Sequence, residues 1–145
     1  MKISALAITL NEADNIDSFV QSLSFADEII IVDSFSSDDT VKKARNHDKV
    51  TVYERKFDNF SAQKNFAISK ATNNWVVFFD LDEEITPQLA KEITTTLHNP
   101  LAIAYFIKRD FYFMGKRIKY SGLQNDWVIR VFNKKHCKYN SSLVH

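Results

Sequence analysis

The stretch Trp75-Val76-Val77-Phe78-Phe79-Asp80-Leu81-Asp82-Glu83-Glu84 joins five apolar residues to four closely spaced carboxylates. The apolar run is typical of a buried β-strand, and the acids follow at its carboxyl end. Carboxylates this close repel one another unless a cation joins them, and Mg²⁺ and Mn²⁺ prefer oxygen ligands. The alternative is a solvated acidic turn, with Glu83 and Glu84 favouring the N-terminus of the next helix. The stretch therefore predicts a strand end and offers Asp80 and Asp82 as candidate metal ligands.

Strand-like and helix-like segments alternate around this stretch. Strands are predicted at residues 3–9, 28–33, 50–54 and 75–79, and helices at 12–23, from about 38, at 61–70 and at 87–98. Asn11, Ser37 and Thr86 are the expected N-caps. Three shorter strand-like pieces follow at 102–108, 111–114 and 127–132. The alternation predicts an α/β fold of three layers, with a mostly parallel sheet covered by helices on both faces.

Length and composition bound the class of protein. A chain of 145 residues with 45% hydrophobic content suits one soluble domain. The single Cys137 and the early polar residues Asn11 and Glu12 predict a cytoplasmic protein without a secretory signal. The two glycines, Gly115 and Gly122, make no glycine-rich phosphate loop. Any phosphate is therefore expected to meet a metal, side chains or non-glycine backbone.

Polar clusters follow the other predicted strands as well. In open parallel sheets ligands bind beyond the carboxyl ends of the strands, so these clusters are expected to converge with the acidic stretch. Each cluster taken alone also fits an ordinary loop, helix cap or solvated helix charge. The clusters are Thr9-Leu10-Asn11-Glu12, Asp33-Ser34-Phe35-Ser36-Ser37-Asp38-Asp39 and Gln63-Lys64-Asn65.

The ordered set of these motifs resembles inverting glycosyltransferase family 2, with its A-type nucleotide-diphospho-sugar transferase fold. The resemblance is strongest to bacterial members that build the lipopolysaccharide core. It spans nearly the whole chain, because segments 113–116, 120–122, 130–132 and 144–145 also look like the acceptor-side region of that family. The chain is accordingly expected to be one glycosyltransferase catalytic domain over 1–145, truncated at its C-terminus.

The resemblance implies roles for individual residues. It implies a base and ribose pocket formed by Thr9, Leu10, Asn11 and Glu12, with Asp33 and Ser34 at the nucleoside. It places Lys64 and Asn65 near the diphosphate. It implies that Asp80 lies near the ribose or donor sugar, that Leu81 belongs to the same motif, and that Asp82, together with Asp80, binds Mg²⁺ or Mn²⁺. The donor is then a nucleoside-diphosphate sugar, with UDP-sugars favoured.

Two features of the sequence depart from the family pattern. Glycines are common where Phe35 and Asp39 stand, so the second loop is expected to follow another path and leaves the contact of Ser34 open. The family continues past Val144-His145 with an acid and a further region.

An acceptor hydroxyl needs a base to take its proton, and Asp126 is the candidate. The alternative is that Asp126 is only a salt-bridge partner. A nucleotide-sugar-binding module without catalysis is therefore the rival function.

Basic residues are concentrated in residues 101–145. This segment holds 9 of the 19 Lys and Arg residues but only 2 of the 18 Asp and Glu residues. A solvated face is the ordinary interpretation. A phosphorylated glycan or glycolipid acceptor, or the inner face of the membrane that carries it, is the functional one. Nucleic acid is not expected as a partner, since no nucleic-acid module accompanies the charge. A receiver-like phosphate-binding domain is a further rival, for which Glu12 and Lys108 fit the required positions poorly.

Overall fold

The computed structural model describes residues 1–109, 112–113, 116–117, 126–137 and 139. The elements in chain order are β1 (Ile3–Thr9), α1 (Ala13–Ser22), β2 (Glu28–Asp33), α2 (Thr40–Arg45), β3 (Val50–Glu54), α3 (Phe60–Lys70), β4 (Trp75–Phe78), α4 (Pro87–His98), β5 (Ala104–Arg109), β6 (Tyr112–Phe113), β7 (Lys116–Arg117) and β8 (Asp126–Asn133). The predicted segments 120–122 and 144–145 lie outside the described residues, as do residue 111 and residues 114–115 of the predicted segments 111–114 and 113–116.

The main sheet has six strands in the order β3-β2-β1-β4-β8-β5. β1 pairs in parallel with β2 and β4, and β2 with β3. β8 runs antiparallel to both of its neighbours, so the sheet is mixed but mostly parallel. β6 and β7 form a separate two-stranded ribbon.

Helices cover both faces of this sheet. One apolar core contains Ile16 and Phe19 of α1 and Ile93 and Leu97 of α4, packed against alternate residues of the central strands. The other core contains Ala67 and Ile68 of α3, with Phe78 on the opposite face of β4. The predicted three-layer α/β fold is confirmed.

Two predicted helix caps are wrong, and one is confirmed. α1 begins at Ala13 after Glu12, and α2 begins at Thr40 after Asp39; in neither case does the side chain of the capping residue accept a hydrogen bond from the first amides of the helix. Asn11 and Ser37 instead bond each other, as described below. Thr86 caps α4 as predicted: its hydroxyl accepts a hydrogen bond from the Leu89 amide at 3.1 Å, with Pro87 at the first helical position.

Within the described ranges, none of the helices combines the length and the apolar character needed to cross a bilayer.

Candidate active site

The carboxyl ends of three parallel strands bring the predicted residues to one edge of the sheet. Thr9 is the last residue of β1 and lies opposite Asp33, the last residue of β2. The Ser34 amide donates to the Thr9 carbonyl at 3.0 Å, so strands β1 and β2 separate only beyond this hydrogen bond. β4 lies on the other side of β1, and Asp80 and Asp82 follow its end. The expected convergence of these clusters is therefore present.

The first and second loops are fastened together by side chains. The Asn11 amide donates to the Ser36 hydroxyl at 2.8 Å, and the Asn11 side-chain oxygen accepts from the Ser37 amide at 2.8 Å. Asn11 has a φ of 55°, which asparagine tolerates better than most residues. The Glu12 amide donates to the Thr40 hydroxyl at 2.9 Å. Asn11 therefore shapes the loop pair, whereas Leu10 is exposed at the edge.

Asp33 is fully buried at the centre of this edge. One of its carboxylate oxygens accepts from the Ser36 amide at 2.7 Å, and the other accepts from the Ser36 hydroxyl at 2.5 Å. These bonds fix the carboxylate, and its contact with a nucleoside stays a prediction. Beside it, the buried Thr9 hydroxyl has no hydrogen-bond partner among the described residues.

The second loop passes through Phe35, where the family resemblance leads us to expect glycine. Phe35 has a φ of 61°, in the left-handed region that glycine favours, and it is 58% exposed. Phe35 thus occupies a backbone conformation suited to glycine. The Ser34 hydroxyl accepts from the buried Gln63 amide at 3.1 Å, and the Gln63 side-chain oxygen accepts from Arg55 at 2.8 Å.

Helix α3 contributes Lys64, which is 7% exposed. Its ammonium lies 4.8 Å from the centre of the Tyr139 ring and 5.7 Å from that of Phe78. Burial lowers the pKa of Lys64, and the nearby Asp80 carboxylate partly opposes that shift. Lys64 is therefore a buried cation close to the acidic stretch, as its predicted role requires.

Asn65 has different partners. Its side-chain nitrogen donates to the Tyr139 carbonyl at 2.6 Å, and its oxygen accepts from the Tyr139 amide at 3.0 Å. The side chain thus holds the main chain of residue 139 beneath Lys64. A diphosphate contact of Asn65 stays a prediction.

The acidic stretch forms a tight turn. The Asp80 amide donates to the Glu83 carboxylate at 2.7 Å, and the Glu83 amide donates to the Asp80 carbonyl at 3.0 Å. The Asp80 side chain is 44% exposed, and Asp82 is exposed. Leu81 is only 5% exposed and belongs to the core, so a contact with a ligand could come only from its main chain.

Arg130 of β8 belongs to the segment 130–132 that resembles the acceptor-side region of the family, and sequence reasoning gave it no role at the acidic stretch. Its side chain is 7% exposed, so it is not part of a solvated basic face. One terminal nitrogen of the guanidinium donates to the Phe78 carbonyl at 3.2 Å. The other donates to Asp80 at 3.4 Å and to Glu83 at 3.0 Å. Glu83 is therefore an ion-pair partner inside the site and not a solvated charge at the start of α4.

A signal for Arg130 was present in the sequence. It stands between Ile129 and Val131 in a strand-like run, and an arginine inside a buried strand needs a partner for its charge.

Asp126 is the first residue of β8, paired through its backbone with Arg109. Its proposed role as a base stays a prediction.

The half-exposed Asp80 and the exposed Asp82 fit a divalent ion of the kind predicted. No cluster of three or more His, Cys, Asp or Glu suited to a metal occurs among the residues that the structure covers. Mg²⁺ and Mn²⁺ in nucleotide sites are commonly held by one or two carboxylates, with phosphates and water completing the shell. Asp80 and Asp82 would supply that protein share, and metal binding by them stays a prediction.

Solved structures with the same architecture identify the class of protein. The structure of glucosyl-3-phosphoglycerate synthase from Mycobacterium tuberculosis, in complex with Mn²⁺, uridine diphosphate and glucosyl-3-phosphoglycerate, is 25% identical. It matches with a TM-score of 0.62 over 79% of this chain and 45% of that chain. The mannosyltransferase PcManGT from Pyrobaculum calidifontis, in complex with GDP-Man and Mn²⁺, is 26% identical, with a TM-score of 0.60 over 74% and 36% of the two chains. The fold is thus that of the A-type nucleotide-diphospho-sugar transferases.

Sequence comparison identifies the family. The model of glycosyl transferase family 2 matches residues 4–143. An uncharacterized glycosyltransferase of Rickettsia prowazekii is 33% identical over 98% of this chain and 50% of its own length. The chain belongs to glycosyltransferase family 2. It spans about half the length of the curated relatives that it matches over most of its own length.

Proposed function

We propose that this protein transfers a sugar from a nucleoside-diphosphate sugar to a hydroxyl of a glycan or glycolipid acceptor, with inversion at the anomeric carbon. One observation carries the proposal. Asp33, Lys64 and the Asp80–Asp82 turn meet at one edge of the sheet. A carboxylate for the nucleoside, a cation for the diphosphate and carboxylates for a divalent ion are the groups that such a donor needs.

The nucleoside end of the donor would lie over the first and second loops. Thr9, Leu10, Asn11 and Glu12 would line the base and ribose, with Asp33 and Ser34 beside them. Support comes from the buried Thr9 hydroxyl, which lacks a hydrogen-bond partner among the described residues, and from the fixed carboxylate of Asp33. UDP-sugars remain the favoured donors; one structural neighbour holds uridine diphosphate and another GDP-Man.

The diphosphate would lie between Lys64 and the acidic turn. Lys64 would donate to a phosphate oxygen, while Asp80 and Asp82 would hold Mg²⁺ or Mn²⁺. The ion would neutralise the charge that develops on the departing nucleoside diphosphate. Burial removes water from the Lys64 ammonium and lowers its pKa. An anionic ligand compensates for this lost hydration by charge attraction, which supports the role of Lys64.

The reaction then needs a base on the acceptor side. The acceptor oxygen forms a bond to the anomeric carbon, the bond from that carbon to the diphosphate oxygen breaks, and Asp126 would take the hydroxyl proton. Exposed Lys108 on β5 favours an anionic acceptor, such as a phosphorylated lipopolysaccharide core. A cytoplasmic location, with contact at the inner face of the membrane, stays a prediction.

Calorimetric titration tests the donor site. UDP and UDP-sugars are titrated with Mn²⁺ present and then chelated, on the wild type, on Asp82→Ala and on Glu84→Ala as an exposed acidic control in the same stretch. We expect metal-dependent binding that Asp82→Ala weakens by about tenfold or more and Glu84→Ala leaves unchanged. Binding that ignores both Mn²⁺ and Asp82 would overturn the metal assignment.

Donor binding without transfer is the second candidate function. It stays the alternative because transfer needs a base, and the role of Asp126 as that base is a prediction. A transfer assay with the same donors separates the two. Release of nucleoside diphosphate that requires an acceptor supports transfer, whereas tight binding without release supports a binding module.

A further inference from the structure

Arg130 connects a strand of the sheet to the turn that carries the candidate metal ligands. It reaches across from β8 to the Phe78 carbonyl at the end of β4, 52 positions away along the chain. Its other terminal nitrogen contacts the carboxylates of Asp80 at 3.4 Å and Glu83 at 3.0 Å. One planar group therefore ties the strand end to two acids of the turn, Asp80 and Glu83.

This arrangement is hard to explain by stability alone. The Arg130 side chain is 7% exposed, and its Nε is buried without a hydrogen-bond partner among the described residues. A buried ion pair often contributes no more to stability than apolar residues of similar volume, and an unpartnered buried N–H adds a cost. Groups retained at such a cost are commonly found at functional sites.

The charges around Arg130 are nearly balanced. Lys64 and Arg130 provide two buried cations, and Asp80 and Glu83 face them as anions. Because Glu83 also accepts from the Asp80 amide, Arg130 acts on both the side chain and the main chain of Asp80.

We infer that Arg130 is a positioning residue for Asp80. It orients the carboxylate and the turn for the metal and diphosphate without contacting either. The inference rests on the proposed function, because it assigns Arg130 to the metal-dependent donor site. Loss of an outer residue that orients a metal ligand typically weakens metal binding by about 10- to 100-fold.

The test uses Arg130→Met, which removes the charge but fills the volume, and Arg130→Lys, which keeps the charge but loses the planar fork. Lys135→Met serves as an exposed control just beyond β8. The apparent affinity for Mn²⁺ is measured by calorimetry at saturating UDP, and thermal unfolding checks the fold. We expect Arg130→Met to weaken Mn²⁺ binding by about tenfold or more, Arg130→Lys by less, and Lys135→Met not at all.

A double-mutant cycle with Asp80→Ala separates positioning from general support of the fold. If Arg130 acts through Asp80, then Arg130→Met has little further effect on Mn²⁺ affinity when Asp80 is already alanine. Additive losses would overturn the inference, as would wild-type Mn²⁺ affinity in a folded Arg130→Met. If Arg130→Met fails to fold, Arg130→Lys is carried through the same cycle and decides.

Failure of the underlying function gives a different result. A wild-type protein that binds no nucleotide in a metal-dependent way overturns the proposed function, and this inference with it. A wild type that binds as expected beside an unaffected Arg130→Met overturns only the role of Arg130.

Discussion

The Asp33 carboxylate accepts hydrogen bonds from the Ser36 amide at 2.7 Å and from the Ser36 hydroxyl at 2.5 Å. These bonds fix the second loop, which contains a residue with left-handed backbone. That residue is Phe35, whose ring is largely exposed. A residue other than glycine in this region carries a conformational cost of about 1–2 kcal/mol. The loop is therefore held in a strained conformation by the hydrogen bonds of a fully buried carboxylate.

We expect Phe35→Gly to stabilise the protein. Relief of the left-handed backbone outweighs the extra freedom of glycine in the unfolded chain, for a net gain of about 0.5–1 kcal/mol. Phe35→Ala removes the same ring but keeps the Cβ, so it should show no such gain. Urea denaturation of the three proteins measures the difference, and equal stability of the Gly and Ala variants would mean that Phe35 is not strained.

We expect Lys64→Met to stabilise the ligand-free protein by an amount on the order of 1 kcal/mol, while weakening nucleotide binding. The pKa of Lys64 is lowered chiefly by burial, so its charge opposes folding. That cost is fully present below the folded-state pKa and disappears as the pH rises through 10.5, its ordinary value. The advantage of the variant should therefore shrink toward that pH.

Unfolding free energies measured across the alkaline range, with UDP titrations at neutral pH, check both halves of this prediction. Lys91→Met is a control, because Lys91 is exposed on α4. A Lys64→Met variant that is less stable than the wild type at neutral pH, or that binds UDP equally well, would contradict the assigned role.

The sequence was most informative where structure is set locally. The bounds of β2 and β3 agree with the prediction, because a β-branched run such as Ile29–Val32 selects a buried strand with little help from the rest of the chain. The cap at Thr86 is local for the same reason, since the residue pairs with an amide three positions away.

Features that depend on distant partners were not predictable in this way. Asn11 fits a helix cap by sequence, but its side-chain oxygen is taken by Ser37, 26 positions away. Arg130 fits a solvated face by composition, yet it pairs with Asp80 across 50 positions. The candidate site could be predicted as a set of motifs, whereas the interactions that orient those motifs required the fold.

The opposite end of the sheet contains a second polar network, centred on the partly buried Glu28. One of its carboxylate oxygens accepts from the Ser4 hydroxyl at 2.5 Å and from the Thr72 amide at 2.6 Å, which links β1, β2 and the segment before β4. Burial alone would raise the pKa of Glu28, but these hydrogen bonds and Lys134 outweigh it and lower the pKa. The charged form of Glu28 therefore stabilises the fold.

We expect Glu28→Gln to destabilise the protein by an amount on the order of 1 kcal/mol at neutral pH, because hydrogen bonds to a charged acceptor become weaker ones. For an acid with a lowered folded-state pKa, this stabilisation is present above 4.5, its ordinary value, and is lost as the pH falls through the folded value. The gap between wild type and variant should thus close in acid. Denaturant titrations from neutral to acidic pH measure it, with the exposed Glu92→Gln as the control. A gap that persists unchanged in acid would show that the amide disturbs packing and that the charge of Glu28 is not what stabilises this end of the sheet.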